Sequence, residues 1–433
     1  MNRLSQQILK RLRRAGSLGD TPLPDDFVLP AYDGYSLANV PATVLAHFGV
    51  SGVPTPPLAP EVVGDELKGC RKLVVMLMDA LGYLAVSAQM AGDRGLGLNA
   101  LRHRGRFAPL TSVFPSTTAV ALTTLHTGLP PVGHGITGYR MYLPDRGCVA
   151  NMIRLSPEAD ERANRLVQHP GAARALLGVP TVHRLLTRAG VRSYCLIRDT
   201  IHRSGLSMMH YEGATEVIPF VNSSDLFVQI RKLLEADPQT PACIWAYWGA
   251  LDTILHHYGT LGEEPEAEVR NLAYSLQREL LEPGARSGRG RAALMFLSDH
   301  GHIQVEPKDV VSIRKFPKWR KMLAVPPTGT GRSACLYLRD GRAASARGYL
   351  KVALGDRALV LMCEDALSEG LWGPGRVSPR FQGRVGELLV LFRDAHTLFY
   401  PYREEARPSD LVGGRHGGLH EREMLVPFFC TKL

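Results

Sequence analysis

The chain has 433 residues, 45% of them hydrophobic and 21% charged, with a formal net charge of +10. That is the make-up of an ordinary soluble globular protein, long enough for one large α/β domain with a subdomain or for two to three smaller domains. No segment approaches the roughly 18–20 consecutive apolar residues of a membrane span, and no run interleaves basic with aromatic residues as a nucleic-acid polymer would require. The positive balance instead suits a small anionic substrate such as a phosphate ester.

The chain opens on "MNRLSQQILKRLRRAGSLGD", which is basic but lacks a signal-peptide apolar core. "ILKRLRRAG" reads as a solvated leader helix, with peripheral contact to an anionic membrane as the rival reading. Residues 15–69 are rich in proline and glycine, so residues 1–69 read as an irregular leader wrapping the fold. Seven cysteines, at 70, 148, 195, 243, 335, 363 and 430, form no CxxC pair. They support neither a zinc ribbon nor a disulfide framework, and a reducing, cytoplasmic setting is the simplest expectation.

"KLVVMLMDALGY" (72–83) is a continuous apolar run ending in an acid and a glycine, the pattern of a buried parallel strand with a functional tip. Similar runs recur at 193–199, 242–252 and 292–302. Helical stretches at 223–237 and 266–282 alternate with them, the first opening on serines suited to N-capping. This alternation predicts an α/β fold whose mainly parallel sheet is covered on both faces, with ligands outside the carboxyl ends of the strands. "EPGARSGRGR" (282–291) reads as a surface connector. From 303 to 410 short strands surround helical pieces, which predicts a smaller α+β cap insert between the core at 70–302 and its return at 411–433.

Chemistry concentrates at the expected strand ends. Asp79 ends the first run, Asp252 and His256 form D-x-x-x-H, Asp299 and His300 are adjacent in "SDHGH", and His416 lies in "GRHGGL". An acid and a histidine four apart share one helix face and can ligate one cation. "FPSTTAVALTTLHTGLPPVGHGI" (114–136) places Thr117 and Thr118 before an apolar helix that stops at Gly-Leu-Pro-Pro. They are either caps or a nucleophile presented in the positive field of a helix N-terminus.

As an ordered set these motifs resemble the alkaline phosphatase superfamily, closest to its type I phosphodiesterase/nucleotide pyrophosphatase branch, with "DTILHHYG" and "FP…TGLPPVGHGI" favouring that branch. The resemblance spans about residues 70–305 and 413–429. It implies a three-layer α/β/α sandwich and two divalent ions, zinc before manganese or magnesium. One ion would be held by Asp252, His256 and His416, the other by Asp79, Asp299, His300 and the nucleophile. Counting ten residues back from Gly128, as the family does, reaches Thr118, with Thr117 the neighbouring cap. Where the branch has a phosphate-contacting asparagine, this chain has Tyr139 followed by Arg140, the expected substrate-binding pair. His257 and His302 are extra histidines expected outside the ligand set, His126 and His134 are expected to be structural, and His420 is the weaker rival of His416. The activity implied is metal-dependent hydrolysis of phosphodiester or nucleotide pyrophosphate bonds through a phospho-threonine. A phosphomonoesterase or phosphomutase is the alternative within the superfamily, and a non-catalytic metal- or phospholigand-binding module the alternative outside it. The C/S-x-P-x-R motif of sulfatases is missing.

Overall fold

The computed structural model describes residues 3–14, 16–284, 291–339 and 341–433, so most of the connector at 282–291 lies outside the described residues. The main sheet has seven strands: β1 (Lys72–Met78), β2 (Arg106–Thr111), β3 (Arg192–Arg198), β4 (Glu216–Phe220), β5 (Ala242–Trp248), β6 (Ala292–Leu297) and β7 (Leu425–Lys432). Their order is β2-β7-β6-β1-β5-β3-β4, and only β7 runs against its neighbours. Every residue of β1 is buried, as expected of a central strand packed on both faces. The expected fold class, α/β with a mainly parallel sheet, is the observed one.

Because β6, β1 and β5 are adjacent and parallel, Asp299, Asp79 and Asp252 emerge at one edge of the sheet. The reversed β7 starts at that same edge, which is how the loop before it delivers His416 there. Two local devices hold the frame. Asn222, one residue ahead of the expected serines, caps helix Ser223–Glu235 by accepting from Asp225 N–H. At the other end of that helix the Lys72 ammonium donates to the Leu233, Leu234 and Ala236 carbonyls, a charged C-cap.

A second seven-stranded sheet, antiparallel throughout, runs Ala358–Met362, Leu388–Phe392, Ser333–Leu336, Thr328–Gly329, Arg140–Leu143, Cys148–Asn151 and Ser156–Pro157. Three of its strands therefore come from residues 140–157, inside the range expected to be catalytic core. In Leu388–Phe392, Leu389 and Leu391 join the main core while Leu388, Val390 and Phe392 join a separate core with Trp319 and Leu350. A strand buried on both faces reads as an unbroken apolar run, which is why sequence alone could not separate cap from core. The N-terminal helix Arg3–Leu12 buries Ile8, Leu9 and Leu12 against the main core instead of standing free in solvent, and Ser5 Oγ donates to the Phe107 carbonyl. Among the described residues no helix is long and apolar enough to cross a membrane.

Candidate active site

Asp79 and Asp299 are each anchored by one carboxylate oxygen and offer the other. Asp79 Oδ2 accepts from the Tyr247 hydroxyl, while Oδ1 is buried without a hydrogen-bond partner. Asp299 Oδ1 accepts from the backbone N–H groups of Ala80 (3.0 Å) and His300 (2.9 Å), while Oδ2 is buried without a partner. Ala80 holds a left-handed φ of 68°, a local strain that aims its N–H at Asp299.

The two free oxygens converge. Asp79 Oδ1 and Asp299 Oδ2 each lie 3.4 Å from His300 Nε2. Thr118 Oγ1 lies 3.2 Å from the same nitrogen. His300 Nδ1 faces the Gly301 carbonyl at 3.2 Å, which places its proton there and leaves the Nε2 lone pair toward two carboxylates. Two ligands roughly 2.1 Å from a tetrahedral cation sit about 3.4 Å apart, so this spacing is that of donors around an ion. Thr118 is the first residue of helix α1 (Thr118–Thr127), where the helix dipole favours an anion. Thr117 occupies the N-cap position but makes no side-chain cap hydrogen bond.

A second group adjoins the first. Asp252, on helix α2 (Ala250–Tyr258), has Oδ1 3.5 Å from His256 Nε2 and 3.8 Å from His416 Nε2. His416 Nδ1 donates to the Ser116 carbonyl (3.0 Å), which turns its Nε2 lone pair into the site, while His256 Nδ1 stands 2.8 Å from the Gly414 carbonyl and 2.7 Å from Arg415 Nη1, with its Nε2 facing Asp252. The His416 and His300 rings stack at 3.7 Å. Donor atoms of Asp79, Asp299 and His300, and of Asp252, His300, His302 and His416, form two compact sets. The larger set includes His302, expected outside the ligands, and lacks His256; Thr118 lies beside His300 and His256 beside Asp252, so the residues expected to hold metal all lie around these two groups.

Electrostatics favour cations here. Burial and the neighbouring carboxylates of Asp299 and Asp252 push the Asp79 carboxyl well above the usual range. Burial drives His416 well below its ordinary value, with His300 and His302 adding to the effect, and it also lowers His256. Neutral imidazoles beside crowded carboxylates are ready-made ligands. The orphaned oxygens of Asp79 and Asp299, with an N/O donor set, fit borderline divalent ions.

Tyr139 and Arg140 line the same cavity of about 720 Å³ as Thr118 and Asp252. The Tyr139 oxygen accepts from the Asn151 amide at 2.8 Å, leaving its own proton available. Arg140 is committed to Glu158 at 3.2 Å and lies over the Tyr402 ring at 4.2 Å. His257 is exposed, and His420 caps helix Glu421–Met424 with Asp26 3.3 Å away, outside both donor sets. Reading the sequence missed Tyr247 and Asn151. Tyr247 is embedded in "ACIWAYW", where it reads as core, and Asn151 stands in no recognisable motif.

Donors on a parallel-sheet edge around a helix-borne hydroxyl define an alkaline-phosphatase-like phosphoester hydrolase. Solved structures sharing the fold include murine ectonucleotide pyrophosphatase/phosphodiesterase 5 (ENPP5, NPP5), 16% identical with a TM-score of 0.63, covering 83% of this chain and 88% of that one. A further structure of the murine protein holds AMP in an inactive threonine-to-alanine variant. Phosphonoacetate hydrolase from Sinorhizobium meliloti 1021, in complex with phosphonoacetate, is 20% identical with a TM-score of 0.59, covering 82% and 89% of the two chains. No curated protein matches the sequence. The type I phosphodiesterase/nucleotide pyrophosphatase family profile matches residues 73–419, and the chain belongs to that family. It is a metal-dependent phosphoester hydrolase.

Proposed function

We propose that the protein hydrolyses phosphodiester or nucleotide pyrophosphate bonds with Thr118 as nucleophile and two divalent ions, zinc by preference. The supporting observation is the convergence of Thr118 Oγ1, Asp79 Oδ1 and Asp299 Oδ2 on His300 Nε2 within 3.2–3.4 Å. Asp79, Asp299, His300 and Thr118 would hold one ion, and Asp252, His256 and His416 the other. Bound there, the ions supply Lewis acidity that favours the threonine alkoxide and neutralises charge on the leaving oxygen. Thr118 loses its hydroxyl proton to solvent and forms the Oγ1–P bond as the P–O bond to the leaving group breaks. Water then attacks phosphorus: as its oxygen forms the new P–O bond the Oγ1–P bond breaks, one water proton restores the Thr118 hydroxyl and the other passes to solvent or the released phosphate. The inactive threonine-to-alanine variant of the murine relative supports a threonine nucleophile.

A diester carries one negative charge at phosphorus, where a monoester carries up to two. Arg140 is neutralised by Glu158, so the Tyr139 hydroxyl is the free donor of the expected pair, which suits the diester. The stacked Phe220 and Trp248 rings (5.9 Å) and Ile201 wall the remaining cavity and offer an apolar, flat surface to an ester substituent. All seven cysteines are free, in keeping with the cytoplasmic setting we propose. The test compares bis(p-nitrophenyl) phosphate with p-nitrophenyl phosphate in wild type and Thr118→Ala. Diester turnover should dominate and fall by more than about 10³-fold in the variant, with metal content retained. A variant that keeps its turnover removes Thr118 as nucleophile, and a monoester preference selects the phosphatase alternative.

A further inference from the structure

Four histidines, His256, His300, His302 and His416, cluster around Asp252, and their second nitrogens sort them. His256, His300 and His416 each place Nδ1 against a backbone carbonyl, those of Gly414, Gly301 and Ser116. For His300 and His416 that arrangement fixes the Nδ1–H tautomer, and in all three it turns Nε2 toward the carboxylates. His302 differs. Its Nδ1 is buried with no hydrogen-bond partner, while its Nε2 stands 2.9 Å from Asp252 Oδ1. Nδ1 lacks a partner in either tautomer, but the Nδ1–H form would in addition set the Nε2 lone pair against the Asp252 carboxylate oxygen at 2.9 Å. The Nε2–H tautomer instead makes a normal hydrogen bond to the carboxylate. Distance agrees: 2.9 Å is hydrogen-bond length, whereas the ligand-like histidine–carboxylate pairs of this site stand at 3.4–3.8 Å.

We infer that His302 is a positioning residue that donates Nε2–H to Asp252 Oδ1 and fixes that carboxylate for the cation it shares with His256 and His416. The inference rests on the two-ion reading of the site. His302 is almost wholly buried, and a side chain added at Gly414 would bring a Cβ within 2.7 Å of its Nδ1, so the ring is confined on the face opposite Asp252. A rigid donor holds the carboxylate's rotation. Its loss should therefore weaken one cation and spare the other.

The test is calorimetric titration of chelator-stripped protein with Zn²⁺, and the visible spectrum of the Co²⁺-loaded form, for wild type, His302→Gln and His302→Leu. The Gln amide nitrogen can take the place of Nε2–H, whereas Leu offers no donor. Wild type should bind two equivalents. His302→Leu should weaken one of them about 10–100-fold, the same equivalent that Asp252→Asn removes. His302→Gln should stay close to wild type in affinity, with an unchanged Co²⁺ spectrum. If His302→Gln loses an equivalent or changes the Co²⁺ band intensity, His302 is itself a ligand and the inference fails. If His302→Leu binds both ions as wild type does, it also fails, while the two-ion reading stands. A wild-type chain that binds no Zn²⁺ overturns both. Should the Leu variant not fold, the Gln spectrum and affinity decide alone.

Discussion

Helix α1 separates two clusters of histidines that look alike in composition and differ in chemistry. At its N-terminus, His256, His300 and His416 place Nδ1 against backbone carbonyls and turn Nε2 toward Asp79, Asp252 and Asp299. Along its body, His126, His183 and His210 are buried with no carboxylate in ion-pair contact among the described residues. There, His126 Nδ1 meets His183 Nε2 at 2.9 Å, His183 Nδ1 meets Ser193 Oγ at 2.7 Å, and His210 Nε2 meets Thr123 Oγ1 at 2.9 Å. His134 is similarly satisfied, by Thr124 Oγ1 and the Ile136 N–H, both at 3.0 Å. Buried imidazoles alone do not make a metal centre. Free lone pairs set against uncompensated carboxylates do, and the second cluster faces neutral hydroxyls and imidazoles instead.

The sharpest way to break this contrast is to remove one histidine from each cluster. His416→Gln should lose a cation and reduce diester turnover by more than about 10³-fold. His126→Gln should keep the metal content and turnover of wild type, both measured by metal analysis and initial rates. A loss of metal in His126→Gln would erase the distinction. The front cluster should also depend on the cap. Arg332 and Glu423 form a fully buried pair at 2.8 Å, and Glu423 accepts from the Gly418 N–H in the loop that bears His416. Arg332→Met leaves that carboxylate unpaired, and denaturant melts should show a loss of about 3–5 kcal/mol.

Acid should strike the rear cluster. Burial lowers His183 and His210 from 6.5 to about 3 each. Between those limits the unfolded chain binds protons that the native chain excludes, so this contribution is complete above about pH 6.5 and falls as pH drops toward 3. At about pH 5 the loss is on the order of 2 kcal/mol per histidine. His210→Gln should flatten the pH dependence of the melting midpoint relative to wild type, and parallel curves would refute the account. The smallest change belongs to Thr117→Ala. Its side chain makes no cap hydrogen bond, so the variant should cost less than the ~1 kcal/mol of a working cap and keep most of its turnover.

Much of this was legible in the chain. Apolar runs ending in an acid announced β1, β5 and β6, and the order of Asp79, Thr118, Asp252, His256, Asp299, His300 and His416 pointed to one site because neighbouring parallel strands end on one edge. Those signals are local, set by period and by residues adjacent to strand ends. What only the tertiary structure decided is longer-range. Tyr247 anchors Asp79 from 168 residues away, and Ser116 sets the tautomer of His416 across 300. The union of residues 140–157 with 328–392 in one sheet is of the same kind. So is the division of labour among histidines, which depends on the partner each second nitrogen meets. Residue type and spacing determine which groups can serve, but the free oxygen of a carboxylate and the proton on an imidazole are settled by contacts that folding makes between distant segments.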